Sequence, residues 1–542
     1  MMIEATGSAL RVGVILDQPA PRWVHQAVRA IQALPEARIV LLVQIAPGNV
    51  DRGGTGGGWN HAAYQVFQRL DRRLYGRRAD SLEESDVASG LPGCPMLALH
   101  PGNIEELQAH RLDVLIDFRR QGPPIEAAAS ARLGVWSYRH GATPRLAARP
   151  PAFREVAEGK EPFFSALVSR DGEEGSTRLL YASWSPTHKR SVYRTLDQCL
   201  PKLAQFPARV LRRLHSGDPI EARGGGIPEV VMEGPYRPTP PGNGEVVTAV
   251  AKLVRRFGRD LLGGRQVREG WRLACAFGKE GLSPRPDRIL PPPRGTYQAD
   301  PFPIATEDGY WIFFEEIPAS GIGHLSVMKM DAAGACDAPR VILQQPTHLS
   351  YPGVYRIGAE WYLLPESAGS GNLQLYRATR FPFEWVEEER LLEGARAYDA
   401  TLVEIGGRWW MFVNHAPEGG STWDELHLYH AERPQGPWIP HPRNPVVSDA
   451  RRARPAGHLF EYRGAWYRPG QDCGTRYGKA IVVNRIVRID EKEYEEVEAA
   501  RILPDWDPRV LTVHTLNRAG NLTMLDCIVR DRRRDGKDAE WS

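Results

Sequence analysis

The chain has 542 residues, of which 42% are apolar and 25% charged, and its 69 Lys and Arg exceed its 66 Asp and Glu by three. This composition excludes fibrous and wholly disordered proteins, and the length predicts two or more domains. The near-balance of charge gives no reason to predict a nucleic-acid partner or a membrane surface, although local patches could still matter. We find neither a signal peptide nor an apolar stretch of about eighteen residues, so we expect a cytoplasmic protein without an integral membrane segment.

The first part of the chain alternates β-branched segments with amphipathic segments, a pattern typical of βαβ units around a largely parallel sheet. Strands are predicted at 11–16, 38–45, 112–118 and 134–138, and helices at 23–34, 104–110 and 125–131. A Gly-rich segment at 53–58 lacks the ending of a phosphate-binding loop and is interpreted as a loop tip. We therefore predict a Rossmann-like α/β domain over residues 1–215, followed by a Pro/Gly-rich linker with one amphipathic helix over residues 216–265.

From Gly295 onward the pattern changes to period-two alternation with aromatic residues, and it repeats itself. The tryptophans of four copies, at spacings of 50, 48 and 57 residues, are Trp311, Trp361, Trp409 and Trp466. A weaker fifth copy begins at His514. Each copy is interpreted as strand, tight turn, strand, and a spacing near fifty fits one propeller blade. We predict a five-bladed β-propeller over residues 266–530, tryptophans that pack between blades, and a charged, disordered tail over residues 531–542.

In a propeller the first two strands of each blade meet at one mouth of the central channel, so polar residues at their ends should converge there. The repeat spacing places four acidic side chains at such ends, namely Asp300, Glu316, Glu366 and Asp399. Crowded carboxylates cannot all ionise freely, and unequal pKa values separate a general acid from a base in sugar chemistry. Polar residues expected to bind substrate around them are Tyr351, Asn414, His415, Arg454, His458, Gln471, Asp472 and His514.

Two resemblances concern the propeller. The segments QADPF at 298–302 and YDATL at 398–402 resemble the first-strand motifs of the arabinanase, xylosidase and invertase-like glycosidases. That likeness implies that Asp300 is the base or nucleophile and that Asp399 tunes a pKa and orients substrate. The fourth-blade strand, 454–458, lacks the family's acidic Glu, so Glu366 or Glu316 is the candidate acid. More closely, HLSYP, LLPES, YDATL and GRWWMF resemble the N-terminal propeller of the glucosamine inositolphosphorylceramide transferases.

A third resemblance concerns the first domain. The stretches GVWSYRHG at 134–141, PPAFREVAEG at 150–159 and EEGSTRLLYAS at 173–183 are similar to the formyltransferases that use 10-formyltetrahydrofolate. At the positions of the family's Asn and His this chain has Ser137 and Arg139, and His140 follows directly after the second. The nearest counterpart of the family's Asp is Glu173 or Glu174. An Arg cannot act as the neutral base. His140 could do so if the strand end is bulged.

Three functions follow as hypotheses. The leading one is a carbohydrate-active enzyme, a transferase or glycosidase-like protein acting on a sugar, glycolipid or nucleotide sugar, with Arg454, His415 and His514 binding an anionic group such as a sugar phosphate. The second is N-formylation of an amino sugar by the first domain, which would need 10-formyltetrahydrofolate. The third is a non-catalytic glycan-binding scaffold. No other cofactor and no metal is required by the sequence, although the carboxylates could hold Ca²⁺. The oligomeric state is not predicted.

Overall fold

The computed structural model describes residues 9–45, 59–76, 80–100, 103–119, 130–170, 177–217, 238–318, 321–394 and 396–532. The chain divides into two compact units: the first holds residues up to Phe257 together with 417–421, and the second holds the rest. The Gly-rich segment at 53–58, most of the predicted helix at 125–131, residues 218–237 of the predicted linker, and the tail after Arg532 lie outside the described residues. None of the helices in these ranges is long and apolar enough to cross a membrane.

A mixed sheet forms the centre of the first unit, with strand order β5-β3-β1-β6-β7-β8-β9. The first five strands in that order are parallel, and β8 and β9 continue the sheet antiparallel. The described strands are β1 (Leu10–Ile15), β2 (Ala20–Pro21), β3 (Ala37–Ile45), β4 (Glu84–Ser85), β5 (Met96–Leu99), β6 (Val114–Asp117), β7 (Val135–His140), β8 (Phe163–Arg170) and β9 (Thr177–Ser185). These bounds confirm the four strands predicted from the sequence; the formyltransferase-type assignment stays a prediction.

Helices cover this sheet. They are α1 (Arg22–Gln32), α2 (Ala62–Tyr75), α3 (Ile104–Ala109), α4 (Pro144–Ala147), α5 (Phe153–Glu158), α6 (Val192–Leu203), α7 (Phe206–His215) and α8 (Asn243–Gln266). Helix α1 buries Val24, Ala27, Val28 and Ile31, which recur at steps of three and four residues, as its sequence pattern predicts. Helix α8 is the amphipathic helix predicted after the Pro/Gly-rich segment.

The second unit is a five-bladed β-propeller, as predicted. The first blade contains β12 (Thr296–Thr306), β13 (Gly309–Pro318), β14 (His324–Asp331) and β15 (Arg340–Leu343). The second blade contains β16 (Ser350–Ile357), β17 (Glu360–Glu366), β18 (Leu373–Arg380) and β19 (Glu384–Leu392). The third blade contains β20 (Ala397–Ile405), β21 (Arg408–His415), β22 (Glu425–Ala431), β23 (Ile439–Pro440) and β24 (Val447–Ser448). The fourth blade contains β25 (Phe460–Tyr462), β26 (Ala465–Asp472), β27 (Ala480–Ile489) and β28 (Tyr494–Ile502).

The fifth blade closes the ring with strands from both ends of the unit. Its order is β11-β10-β30-β29, formed by β10 (Val267–Phe277), β11 (Arg288–Ile289), β29 (Val510–Ala519) and β30 (Leu522–Arg532). Strand β10 pairs antiparallel with β30 along the whole length of both strands. This closure leaves no blade without a neighbour. Strand β30 extends to Arg532, so residues 531 and 532, predicted to belong to the tail, lie in this blade.

Five separate hydrophobic clusters fill the spaces between neighbouring blades, one cluster for each pair. The four marker tryptophans all pack at these boundaries: Trp311 and Trp361 lie between the first two blades, Trp409 between the second and third, and Trp466 between the third and fourth. Their predicted role in blade packing is confirmed.

A fully buried ion pair crosses the fourth blade. The guanidinium of Arg468 donates two hydrogen bonds of 2.7 Å to the carboxylate of Glu496, and the two side chains are 1% and 2% exposed. Removing one partner of such a pair leaves a buried charge without compensation. We expect Glu496→Gln to lower the free energy of unfolding by about 3–5 kcal/mol, measured by urea unfolding of the full chain. The double variant Arg468→Met/Glu496→Met should recover much of this loss, and equal destabilisation of both variants would contradict the explanation.

Candidate active site

The first strands of the blades share a bulge at the channel mouth. The pairing of β12, β16, β20 and β29 with the next strand shifts register at the same place, and the displaced residues include Asp300, Tyr351, Asp399 and His514. The first three have φ values of 50°, 49° and 52°, a left-handed conformation that costs a non-glycine residue about 1–2 kcal/mol. Such a bulge re-aims a side chain and stores strain, both frequent at functional sites.

Asp300 is buried and held by neighbouring blades. Its carboxylate accepts hydrogen bonds from the backbone N–H of Tyr351 (3.1 Å) and from the hydroxyl of Thr515 (2.7 Å). Burial raises the pKa of this carboxyl, the nearby His514 opposes the rise, and the charges of Asp526, Glu315 and Asp399 add to it. Asp300 and Asp399 are therefore close enough to influence each other, and Asp300 is poised to take up and release a proton.

His514 lies between two carboxylates. Its Nδ1 is 2.6 Å from Asp526 Oδ1, and its Nε2 is 3.5 Å from Asp300 Oδ1. Burial opposes the charged form, but Asp526 and Asp300 outweigh burial and raise the pKa of His514, which favours an imidazolium at neutral pH. Ligand atoms of Asp300, His514 and Asp526 lie within 4.8 Å of one another, a spacing suited to a metal ion. Metal binding would release the proton of this imidazolium, and the expectation that no metal is required stays a prediction.

Asp399 is held by the fourth blade. Arg454 donates from Nε (2.6 Å) and Nη2 (3.1 Å) to its two carboxylate oxygens, and the amide of Gln471 donates at 2.9 Å. The guanidinium also lies over the rings of Tyr398 and Tyr477. Arg454 and Gln471 thus bind a protein carboxylate, whereas the sequence predicted that both would bind substrate.

The acidic residue of the first blade that shares this pocket is Glu315, not the predicted Glu316. Glu315 is paired with Ala299, just as Glu366 is paired with Ser350 and Asn414 with Tyr398 in the next two blades. Trp311 stands one position later in its strand than the other marker tryptophans do in theirs. Counting five residues onward from Trp311 therefore reaches Glu316, one residue beyond the equivalent position. A slip of one residue turns a side chain to the other face of the sheet.

The structure gives these two glutamates different partners. The carboxylate of Glu316 accepts a hydrogen bond from the Ser326 hydroxyl (2.7 Å) and lies 3.4 Å from His324 Nε2. Glu315 instead lies 2.7 Å from Nε2 of His348, a residue that the sequence did not indicate. Hydrogen bonding to Glu315 raises the pKa of His348, burial opposes it, and Glu315, Glu366 and Asp300 add to the rise through their charges. Glu315, Glu366, His348 and Asp300 therefore share one pocket.

A glycine allows this approach of Glu315 and His348. The backbone N–H of Gly323 donates to His348 Nδ1 at 3.0 Å, which leaves Nε2 to face the carboxylate. A Cβ at Gly323 would lie 2.6 Å from His348 Cε1 and 2.7 Å from Glu315 Oε1, both too short for a side chain. A side chain at position 323 would therefore displace His348 or Glu315 from this arrangement.

Two predicted substrate-binding residues instead fill the channel. The hydroxyl of Tyr351 lies 2.9 Å from the Thr401 hydroxyl and accepts a hydrogen bond of 2.5 Å from the backbone N–H of Gly457. The ring of His458 packs against Phe302 and Tyr355, each with ring centroids 4.8 Å away. Both residues were predicted to lie at the channel mouth, but their side chains close the channel beneath the mouth.

Two of the remaining predicted positions, His415 and Asp472, contact protein groups, whereas the binding role of Asn414 stays a prediction. His415 contacts the Tyr429 hydroxyl at 3.2 Å, and burial lowers its pKa, so it is neutral and unsuited to an anion. Asp472 pairs with Arg501 at 2.6 Å, which connects β26 to β28 of its own blade. Asn414 is fully buried in β21, and its amide has no hydrogen-bond partner among the described residues.

The mouth has an aromatic wall that the repeats did not predict. The ring of Trp271 stacks on His514 at 4.1 Å, Tyr477 approaches His514 edge-on at 5.3 Å, and Trp423 lies 5.5 Å from Tyr477. Trp271 and Trp423 lie outside the first two strands of any blade, in the fifth-blade strand β10 and in the segment before β22. Aromatic faces pack well against the apolar faces of sugar rings.

The described formyltransferase-like residues do not share one face of the sheet in the first unit. Strand β7 pairs with β8 through His140 without a register shift, so the bulge that would bring His140 into place is absent there. Successive residues of a strand face opposite sides, which separates His140 from Ser137 and Arg139. Nδ1 of His140 lies 2.9 Å from the Ser165 hydroxyl, and burial lowers its pKa to about 4. Glu173 and Glu174 lie outside the described residues, so this function stays a prediction.

Comparisons with known proteins concern the propeller. Residues 293–506 match the family model of the N-terminal part of glucosamine inositolphosphorylceramide transferase 1, which confirms the resemblance stated above. The chain is 34% identical over 230 residues to that transferase from Oryza sativa subsp. japonica, covering 42% of this chain and 29% of the relative. For the transferase from Arabidopsis thaliana the values are 37% identity over 207 residues, 37% of this chain and 27% of the relative. The chain thus spans less than a third of these relatives.

Solved structures show only a distant likeness. They include Zg3597, a family 117 glycoside hydrolase of Zobellia galactanivorans, with 13% identity, a TM-score of 0.32, and coverage of 48% of this chain and 90% of that one. The α-L-arabinofuranosidase PaAbf62A of Podospora anserina has 12% identity, a TM-score of 0.34, and coverage of 48% and 97%. Likeness at this level carries no information about activity.

The buried His458 makes the propeller sensitive to acid. Burial lowers its pKa to about 4, whereas imidazole in an unfolded chain titrates near 6.5. Between these pH values the unfolded chain binds a proton that the native state excludes, so stability falls as the pH decreases from about 6.5 to 4, by up to about 3 kcal/mol. Urea unfolding at pH 7.0 and pH 4.5 should show a smaller loss for His458→Phe than for the parent chain. An equal loss would show that another group controls the acid response.

Proposed function

We propose that this chain is a carbohydrate-active enzyme whose reaction takes place at the propeller mouth. The observation that supports this most is that Asp300 and Asp399, from different blades, share one pocket in unlike environments. Asp399 is bound by Arg454 and Gln471, whereas burial raises the pKa of Asp300. Two carboxyl groups in such different environments can serve acid–base or nucleophilic chemistry at a sugar. The similarity to proteins named as transferases favours transfer over hydrolysis.

The residues suggest a division of roles. The resemblance stated above assigns Asp300 as the base or nucleophile, a role that needs its ionised form, which its raised pKa makes the minor form at neutral pH. In that form Asp300 takes the proton of the attacking hydroxyl group, or attacks the anomeric carbon itself, while the bond from that carbon to the leaving oxygen breaks. A second carboxylic acid returns a proton to the leaving oxygen. Glu315, beside His348, and Glu366 are the candidates for this acid, and Asp399 with Arg454 orients the sugar.

The charges at the mouth suggest the kind of sugar. Three cationic side chains there already lie at ion-pair distance from a carboxylate: Arg454 from Asp399, His514 from Asp526, and His348 from Glu315. Glu366 adds a fourth carboxylate to the three in these pairs, so an anionic phosphate is disfavoured at the reacting sugar. We therefore revise the phosphate-binding hypothesis for Arg454, His415 and His514. The site better suits a neutral sugar or an amino sugar, such as the glucosamine named in the relatives.

Substitution of the paired carboxylates tests the proposal. We expect Asp300→Asn and Asp399→Asn each to lower the rate by about 10²–10⁴, the usual contribution of such groups. The full chain is incubated with labelled uridine-diphosphate sugars and inositolphosphorylceramide, and separately with nitrophenyl glycosides, and labelled lipid and released nitrophenol are measured. Circular dichroism checks that each variant is folded. Full activity of both variants would refute the proposal, and sugar binding without turnover would favour the glycan-binding scaffold.

Two adjacent glutamates provide a matched comparison. Glu315→Gln removes a carboxylate from the pocket, and Glu316→Gln makes the same chemical change one residue away, on the opposite face of β13. We expect the first to reduce the rate at least tenfold and the second to change it by less than about threefold. The opposite order would show that the register, and with it the choice of acid, is wrong.

A further inference from the structure

Exposed apolar side chains are concentrated on two helices of the first unit. Within the described part of that unit, all the large apolar residues recorded as exposed except Met96 lie on α2 or α8, with exposures of 38–75%. They are Val66, Leu70, Leu74, Val247, Val250, Val254 and Phe257. In the propeller unit such residues are scattered over many different elements. Contiguous exposed apolar surface usually marks an interaction site.

The residues follow helical spacing on both helices. On α8 the exposed positions 247, 250, 254 and 257 recur at steps of three and four, next to a second apolar stripe formed by Val246, Ala249 and Leu253. That second stripe packs into the core of the unit. Helix α8 therefore has one apolar face that stabilises the fold and a second that is exposed, where the Arg190 guanidinium lies 4.9 Å from the centroid of the Phe257 ring.

Basic side chains accompany these stripes. Within the first unit, the exposed arginines and lysine on the two helices are Arg69, Arg72, Arg73, Lys252 and Arg255. The acidic side chains described on the same helices are engaged within the unit: Asp71 accepts a hydrogen bond of 2.8 Å from the backbone N–H of Tyr193, and Glu245 pairs with Arg149 (2.9 Å) and Arg154 (3.0 Å). The exposed charge of this surface is thus positive.

The two helices are neighbours. The backbone N–H of Ala63 in α2 donates to the side-chain oxygen of Asn243 at the start of α8, at 2.9 Å. Both helices also contact α5: Phe67 of α2 packs against Phe153, and the guanidinium of Arg256 in α8 donates to the carbonyl oxygens of Val156 and Ala157. We call the exposed apolar residues and the five basic residues listed above the basic–apolar patch.

We propose that the basic–apolar patch docks onto the surface of an anionic membrane. Amphipathic helices that combine an apolar stripe with Lys and Arg lie in the plane of the headgroups, with the stripe inserted and the cations beside lipid phosphates. The patch has both components, and its positive charge complements anionic lipid. The attachment is peripheral and does not depend on the chemistry at the propeller mouth.

Vesicle binding by the full chain tests this proposal. Co-sedimentation with phosphatidylcholine vesicles is compared with vesicles containing 30% phosphatidylglycerol, and we expect binding to the second only. Because each basic residue near such a surface contributes about fivefold, Lys252→Gln/Arg255→Gln should weaken binding roughly 25-fold. Val254→Asp/Phe257→Asp should weaken it roughly 100-fold or more.

A matched control separates insertion from a general loss of apolar surface. Ile439 in the propeller is 52% exposed, so Ile439→Asp should leave vesicle binding unchanged. Leu70→Asp/Leu74→Asp on α2 provides a second test if the α8 variant does not fold, as judged by circular dichroism. Equal binding to both vesicle types, no binding to either, or equal losses in the control and the patch variants would overturn the proposal. A concentration-dependent dimer abolished by Val254→Asp, without vesicle binding, would assign the patch to a second copy instead.

Discussion

The carboxylate of Asp526 joins the fifth blade to the first at the point where both form the site. It accepts hydrogen bonds from the backbone N–H groups of Asp300, His514 and Thr515, and its Oδ1 lies 2.6 Å from the His514 imidazole. These donors offset the cost of burying the charge. The same carboxylate favours an imidazolium at His514, which in turn opposes the rise in the pKa of Asp300. Both the backbone geometry and the charge of the pocket thus depend on one residue.

Much of the fold could be predicted because its signals are local. Periodicity defined α1 and the first strands of the α/β unit, and the recurring tryptophans gave the number of blades. Even the convergence of Asp300 and Asp399 followed from equivalent positions in a closed ring. In each case a short pattern repeats often enough that an error at one residue does not change the conclusion.

The details of the site depended on information that spacing does not carry. Glu315 was missed because one marker tryptophan is displaced by a single position, and in a strand that displacement reverses the face. Arg454 and His514 were predicted to bind an anion because their protein partners, Asp399 and Asp526, lie 55 and 12 residues away in the chain. His348 and Trp271 belong to segments outside the repeated strands. Packing against other blades, rather than any motif, brings these residues to the mouth.

The shared fifth blade has a consequence for biosynthesis. Strand β10 is translated before the other blades, but its partner β30 is translated after them. Until that partner leaves the ribosome, one edge of β10 remains unpaired, and the inner surfaces of the first and fifth blades lack their neighbours. Pairing between segments so distant in sequence is slow to form, and exposed edges invite association with other chains. The nascent propeller therefore cannot close its ring until β30 has been translated, and until then its unpaired edges are open to association with other chains.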